Sequence, residues 1–76
     1  MSIVLYSRRG CHLCREAADL LDALAVPFTT VDIDGHGDLV AAFGTRVPVI
    51  EVDGRIVAEG RIDPGLVARS LAPSSR

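Results

Sequence analysis

An apolar run is followed, after a break of four residues, by a Cys-x-x-Cys motif within residues 2–14, SIVLYSRRGCHLC. Residues 2–6 consist almost entirely of β-forming side chains, which is the pattern of a buried central strand. Residues 7–10 interrupt this run, and from Cys11 to Leu24 apolar residues recur at helical spacing. The motif is therefore predicted to lie where the first strand passes into the first helix, with Cys11 at the helix N-terminus.

The rest of the chain continues the alternation of strands and helices. Pro27 is expected to end the first helix, because the residue before a proline avoids the helical region. The later predicted elements are a strand over 28–33, a loop over 34–37, a short helix ending at Gly44, a strand over 47–52, an Asp-Gly turn at 53–54, a strand over 55–58 and a helix from Asp63-Pro64 to about Leu71. The order βαβαββα predicts an α/β fold with a four-stranded mixed sheet flanked by three helices.

Length and composition limit the classes of function. The 76 residues are sufficient for one domain, predicted over 1–72 and followed by a flexible tail over 73–76. A net charge of −2 provides no basic surface for nucleic acid or an anionic membrane, and no apolar run approaches a membrane span. The N-terminal residues also lack the pattern of a signal peptide. We therefore expect a cytoplasmic protein, monomeric, that binds neither nucleic acid nor membrane.

The only two cysteines of the chain are too close together to brace the fold. A disulfide between them would close a minimal loop, worth roughly 2 kcal/mol before strain is subtracted. At a helix N-terminus, unpaired N–H groups and the positive end of the helix dipole favour a thiolate, the reactive form of cysteine. We therefore predict that Cys11 is a nucleophile with a lowered pKa and that Cys14, one turn into the helix, is the resolving thiol.

The predicted start of the first helix carries cations where helices usually carry acids. Four basic side chains lie in this stretch, namely Arg8, Arg9, His12 and Arg15. Such a start departs from the usual capping pattern unless an anion is present, and local departures of this kind are typical of functional sites. A Cys11 thiolate would supply the anion, and a protonated His12 would stabilise it further.

Other interpretations of the cysteine pair remain open. Half of a structural zinc site would show the same motif, although such a site requires four ligands and His36 is the only other histidine outside the motif. The cysteines could instead be ordinary small core residues, and His12 a plain surface histidine. A dithiol at a strand–helix junction in a β–α–β unit favours redox chemistry over these alternatives.

Two motifs, YSRRGCHLC at residues 6–14 and VPVI at residues 47–50, precede a predicted β-hairpin. With them the chain resembles the glutaredoxin-like branch of the thioredoxin superfamily, in particular small bacterial members that carry Cys-His-Leu-Cys. The resemblance extends from Ser2 to about Leu71. It implies a minimal thioredoxin-like fold and a cis peptide bond between Val47 and Pro48. Cis peptide bonds are rare, and where one occurs it usually has a structural or functional role. It also implies that Val47 offers its backbone to an extended thiol substrate.

The resemblance assigns roles to further residues. Arg8 stands where glutaredoxins often place a lysine near the nucleophile, and Tyr6 matches their strand-end tyrosine. Gly60 matches the second glycine of a pair that follows the hairpin. The predicted modulating residues are therefore His12, Arg8 and Tyr6. The predicted substrate-binding residues are Val47, Pro48, Arg46 and Gly60.

Several positions depart from the family pattern. Glu59 replaces the first glycine of the pair, and Arg46 replaces the threonine of Thr-Val-Pro. His12 replaces the proline that follows the nucleophile, and the acidic group that helps to hold glutathione is missing or displaced to Asp63. These departures weigh against glutathione binding and leave the dithiol chemistry intact.

The cysteine pair and the resemblance together predict a thiol–disulfide oxidoreductase. It would reduce protein disulfides or glutathione mixed disulfides, with Cys11 attacking and Cys14 resolving the mixed disulfide. No bound cofactor is expected, and glutathione or a reductase is the predicted recycling partner. Two alternatives are a metal or iron–sulfur binding module, which would need additional ligands, and a non-catalytic adaptor with the same fold.

Overall fold

The computed structural model describes residues 2–71, and the tail predicted over 73–76 lies outside them. The elements are β1 (Ile3–Ser7), α1 (His12–Ala23), β2 (Thr29–Asp32), a 3-10 turn (Ile33–Gly35), α2 (Gly37–Phe43), β3 (Val49–Val52), β4 (Arg55–Glu59) and α3 (Pro64–Leu71). The predicted order βαβαββα is confirmed, and with it the α/β, thioredoxin-like fold of a mixed sheet with three helices.

The four strands form one sheet in the order β2-β1-β3-β4. Strand β1 runs parallel to β2, with Leu5 opposite Thr30, and antiparallel to β3, with Tyr6 opposite Val49. The Asp53-Gly54 turn joins β3 to β4, which is again antiparallel. The end of β1, the start of β3 and the end of β4 therefore lie at one edge of the sheet, which we call the motif edge because Cys11-His12-Leu13-Cys14 follows β1 there.

The core lies between the sheet and the inner faces of α1 and α3. The core cluster consists of eight buried side chains, namely Ile3, Leu5, Ala17, Leu21, Ile50, Val52, Val67 and Leu71. Helix α1 contributes to this side through Cys14, Ala17 and Leu21, which recur at the spacing that places residues on one helical face. Leu13, which the apolar pattern placed on that face, is instead 36% exposed.

Two element boundaries differ from the sequence prediction. Ile33 lies in a 3-10 turn instead of the preceding strand, because the Asp32 carboxylate accepts the Asp34 N–H at 3.0 Å and turns the chain. Strand β3 begins at Val49 instead of residue 47, because Pro48 has no N–H to donate to the sheet. Both differences lie beside the motif edge.

Helix α1 ends before Pro27 is reached. Ala25 adopts a positive φ of 59°, and its N–H donates to the Asp22 carbonyl at 3.0 Å. The Val26 N–H reaches back to the Leu21 carbonyl at 3.5 Å. These two bonds form a Schellman ending, in which the left-handed residue is usually glycine.

Candidate active site

The Cys-x-x-Cys motif occupies the junction between β1 and α1. Cys11 is the N-cap of α1, and its Sγ accepts a hydrogen bond from the Cys14 N–H at 3.1 Å. The two sulfur atoms are joined as a disulfide, with their Cα atoms 5.2 Å apart. The fold thus brings the two thiols into one redox-capable pair.

The two cysteines differ in their accessibility. Cys14 is buried, with 4% of its surface exposed, whereas Cys11 is half-buried. A molecule that approaches the disulfide from solvent would therefore meet Cys11 before Cys14. This difference favours Cys11 as the nucleophile and Cys14 as the resolving thiol.

The first turn of α1 favours negative charge on Cys11. It contains no acidic residue, so the Cys11 sulfur takes the place of the usual oxygen cap. The helix dipole contributes about 0.3–2 kcal/mol to an anion at this end. Once the disulfide is reduced, the Cys14 N–H is positioned to donate to the Cys11 thiolate.

His12 faces solvent beside the cysteines. Its Nε2 lies 2.8 Å from Glu16 Oε2, one turn along α1, and the two side chains are 81% and 60% exposed. The imidazole is thus oriented by an exposed acid on its own helix. Its predicted role in modulating the thiolate remains a prediction.

Arg8 connects three parts of the motif edge. Its Nε and Nη2 lie 2.9 and 2.7 Å from Asp34 Oδ1 in the 3-10 turn. Its Nη1 donates to the Gly44 carbonyl at 3.0 Å, at the end of α2. The guanidinium therefore braces the chain that leads from α2 to Pro48, and Asp34 balances its charge; its predicted effect on the nucleophile remains a prediction.

The Val47–Pro48 peptide bond is cis, as the resemblance implied. The Pro48 ring is almost completely buried, while Val47 is half-buried and its N–H donates to the Phe43 carbonyl at 3.1 Å. Gly60 closes the loop by donating its N–H to the carbonyls of Arg46 and Pro48, at 3.0 and 2.8 Å. Because the φ of Gly60 is 68°, glycine suits this position.

Two of the departures from the family pattern, Arg46 and Glu59, are partners in an ion pair. Arg46 donates through Nε and Nη2 to the two carboxylate oxygens of Glu59, at 2.8 and 2.7 Å. The hydrogen bonds from Arg46 hold the pKa of Glu59 below its usual 4.5. The same guanidinium lies 5.4 Å from the centre of the Phe43 ring. Thirteen residues separate the partners, so no local spacing in the sequence indicates the pair.

Tyr6 alternates along β1 with the core residues Ile3 and Leu5, and its ring contacts Phe43 at the end of α2. Its hydroxyl donates to Glu51 Oε1 at 3.2 Å, and its ring centre is 5.0 Å from that of Phe43. Partial burial, followed by the nearby Glu51 carboxylate, raises the pKa of Tyr6 above its usual 10.0. The structure thus places Tyr6 as a support for the Phe43 end of α2, while its predicted modulating role remains a prediction.

A cavity of about 460 Å³ opens beside the disulfide, between α1 and the edge strand β2. Both cysteines line it, together with Arg8, His12, Arg15 and Thr30. Pro48 and Gly60 are not among its lining residues, so the cavity is separate from the Val47–Pro48 loop. We call it the β2-side cavity.

Neither a metal cluster nor a membrane span is found in the part of the chain described. Among residues 2–71, no three histidine, cysteine or acidic side chains come together as a metal site. Within the same residues, no helix combines the length and the apolar character needed to cross a membrane.

Comparisons with known proteins identify close structural relatives. The family model for the glutaredoxin-like domain (DUF836) matches residues 2–72. The X-ray structure of protein XcR50 from X. campestris is 37% identical, with a TM-score of 0.83 over 95% of this chain and 100% of that one. The solution structure of Ne2328 from Nitrosomonas europaea is 27% identical, with a TM-score of 0.81 over 93% and 91%. An uncharacterized Mycobacterium tuberculosis protein is 30% identical over 96% of this chain and 84% of its own length.

One more distant structure shares the fold. NrdH-redoxin from Escherichia coli, a glutaredoxin-like protein with a thioredoxin-like activity profile, is 19% identical, with a TM-score of 0.78 over 99% and 100% of the two chains. At this identity the likeness concerns the fold alone.

Proposed function

The chain belongs to the glutaredoxin-like domain family, and from that membership we propose that it is a dithiol oxidoreductase that reduces protein disulfides through Cys11 and Cys14. The observation that carries this proposal is the Cys11–Cys14 disulfide at the start of α1, with one accessible and one buried sulfur. A structural brace would gain little from so short a loop. A redox pair needs this difference in access.

The proposed reaction begins with the reduced protein. The Cys11 thiolate attacks one sulfur of the substrate disulfide, which forms a mixed disulfide and releases the other substrate sulfur as a thiolate that takes a proton from solvent. Cys14 then loses its proton to solvent and attacks the Cys11 sulfur, which releases the second substrate thiolate. The substrate has gained two electrons, and the protein holds the Cys11–Cys14 disulfide.

The backbone around the cysteines supports each step. The Cys14 N–H and the start of α1 stabilise charge on the Cys11 sulfur when it attacks and when it leaves. The Val47–Pro48 loop reaches the same edge of the sheet, since Val49 pairs with Tyr6 at the end of β1. An extended substrate segment would pair with the backbone at Val47, as peptides do when they bind alongside a strand through main-chain hydrogen bonds.

The residues around this loop favour protein disulfides over glutathione. The Arg46–Glu59 ion pair places two charged side chains where the resemblance expects a threonine and a glycine. In α3, the Asp63 carboxylate already accepts the N–H groups of Gly65 and Leu66, so that helix end holds an anion of its own. We further propose that the protein is a monomer and that it is cytoplasmic. The location is proposed because catalytic dithiols cycle in a reducing compartment. Either glutathione or a reductase would return electrons to the pair.

Equilibration against a glutathione series, read by thiol trapping and mass spectrometry, tests the proposal. We expect a two-electron transition of the cysteine pair between roughly −180 and −270 mV. Cys14→Ser should accumulate Cys11 mixed disulfides with a protein substrate, while Cys11→Ser should form none. Absence of the transition would contradict the proposal. A pair held by copurified metal or cluster would support the metal-binding alternative, and partner binding unaffected by Cys11→Ser would support the adaptor.

A further inference from the structure

The β2-side cavity differs in charge from the protein as a whole. The chain has a net charge of −2, yet the described residues that line the cavity include Arg8, His12 and Arg15 and no acid. The cavity also reaches the sulfur-bearing residues Cys11 and Cys14. A substrate joined to Cys11 through a mixed disulfide would therefore lie next to a basic surface.

One guanidinium group that lines the cavity, that of Arg15, lacks an acidic partner within the described chain, and so does Arg9, which lies in the loop before Cys11 and does not line the cavity. Arg8 is paired with Asp34, and His12 with Glu16. By contrast, within residues 2–71 no carboxylate approaches within 4 Å of the exposed Arg9 or Arg15.

The acidic side chains on the elements around these arginines do not neutralise the positive charge of the guanidinium groups. Asp19 follows Arg15 by one turn on α1 and does not reach it. Asp32 ends β2 on the other wall, where its carboxylate accepts the Asp34 N–H, and it does not line the cavity. The positive charge beside the cysteines is therefore available to a ligand.

The size of the cavity also bears on the class of ligand. A cavity of about 460 Å³ is far larger than one carboxylate and has room for a short peptide segment. Charge and size together fit a polypeptide better than a small anion.

We infer that the β2-side cavity binds an acidic segment of the substrate protein, adjacent to the disulfide that Cys11 attacks. This inference rests on the proposed function and adds the substrate class to it. Arg15 would hold a substrate carboxylate, since a guanidinium binds a carboxylate through two parallel hydrogen bonds, and Arg9, outside the cavity lining, would attract the acidic segment from the neighbouring loop. Both arginines are specificity residues in this scheme, and the exchange of disulfides takes place on the sulfur atoms alone.

Matched peptide disulfides test the inference with the full-length reduced protein. Three cyclic peptides share one sequence and carry glutamate, glutamine or lysine beside the cysteines. Each reduction rate is divided by the rate of the same peptide with dithiothreitol, which removes differences in intrinsic reactivity. We expect the glutamate peptide to react about threefold to tenfold faster than the glutamine peptide at low salt, since each exposed ion pair is weak. The preference should decline in 0.5 M salt, at roughly 4 Å screening length.

Charge reversal locates the effect. Arg15→Glu should remove the preference for the glutamate peptide over the glutamine peptide and favour the lysine peptide, with each rate divided by that of the glutamine peptide for the same variant, because a carboxylate one turn from Cys11 also changes the reactivity of the thiolate. Arg55→Glu is the matched control, because Arg55 pairs with Val52 at the sheet edge remote from the motif and the net charge changes equally. That variant should retain the preference. Arg9→Gln should weaken it by a smaller factor.

The outcomes separate the two proposals. Equal normalised rates for all three peptides, or equal effects of Arg15→Glu and Arg55→Glu, would overturn the acidic-segment inference and leave the oxidoreductase function standing. Failure of the wild-type protein to reduce any peptide would overturn both.

Discussion

The N-termini of α1 and α3 are capped by different atoms. In α1 the Cys11 sulfur accepts the Cys14 N–H at 3.1 Å. In α3 the Asp63 carboxylate accepts the N–H groups of Gly65 and Leu66, at 2.9 and 3.3 Å. Both helices thereby satisfy donors that would otherwise lack a partner inside the helix.

The difference lies in whether the cap can change its charge. The Asp63 carboxylate is a permanent anion near neutral pH, so the start of α3 is stabilised whatever the redox state. The Cys11 sulfur is neutral in a disulfide and negative as a thiolate, so the helix end of α1 favours one redox state over the other. The same hydrogen-bonding need thus serves stability in one helix and chemistry in the other.

Cys11→Ser should have the largest effect and separates capping from chemistry. Serine is a good N-cap, so we expect the free energy of unfolding of the reduced protein to change by less than about 1 kcal/mol. Reduction of a protein disulfide such as insulin should fall to the uncatalysed rate, because a serine hydroxyl does not exchange with disulfides. Substantial remaining turnover would show that Cys14 acts alone and that the assignment of the nucleophile is wrong.

Asp63→Ala, at the start of α3, should lower the stability of the protein and leave its activity unchanged, which is the opposite of the result expected for Cys11→Ser. Loss of the carboxylate cap should lower the free energy of unfolding by about 1 kcal/mol, with a fall of roughly 4–8 °C in Tm. Insulin reduction should remain at the wild-type rate at a temperature where the variant is folded. Asp63→Asn is the control, since an asparagine oxygen still caps the helix. Loss of activity in the folded variant would show that the α3 cap also serves the site.

Ala25→Gly extends the comparison to the other end of α1. Ala25 has a φ of 59°, which costs an L-residue more than glycine. Since glycine also adds backbone freedom to the unfolded chain, we expect a net gain of about 0.5 kcal/mol. Urea unfolding would measure it, with Ala23→Gly, at the last residue of α1, as a control expected to lose up to about 1 kcal/mol. A destabilised Ala25→Gly would contradict the left-handed ending.

Glu59→Gln should have the smallest effect on stability. It tests the Glu59 carboxylate, a charge at the motif edge that does not cap a helix. The Arg46 hydrogen bonds lower the pKa of Glu59 from 4.5, so the ion pair stabilises the fold above that value and loses its contribution as the pH falls through the lowered pKa. Wild-type stability should therefore decline more steeply than that of the variant below about pH 4.5 in urea unfolding. The effect should be modest and sensitive to salt, because both side chains are 43% exposed. Parallel curves would show that the pair contributes nothing.

The parts of the site that local patterns specify agree with the structure. The apolar run in β1 and the helical spacing after Cys11 predicted the strand–helix junction where the disulfide lies. The Asp53-Gly54 dipeptide predicted the hairpin, and Asp63-Pro64 predicted the start of α3. Each of these signals acts through hydrogen bonds or dihedral angles of residues next to one another in the chain.

The partners of the charged side chains were not predictable in this way. Arg8 meets Asp34 and Gly44, 26 and 36 residues away, and Arg46 meets Glu59 across 13 residues. Many acids compete for each arginine in the sequence, and only the folded sheet edge brings particular loops together.

The amino-acid sequence by itself determined the order of the elements and the place of the cysteine pair, because helix periodicity, turn residues and caps operate over a few neighbouring positions. The tertiary structure decided which sulfur is accessible, how the Val47–Pro48 loop is braced and which arginines remain available beside Cys11. Those properties depend on contacts between segments that are distant along the chain, and packing of α1 and α3 on one sheet sets them.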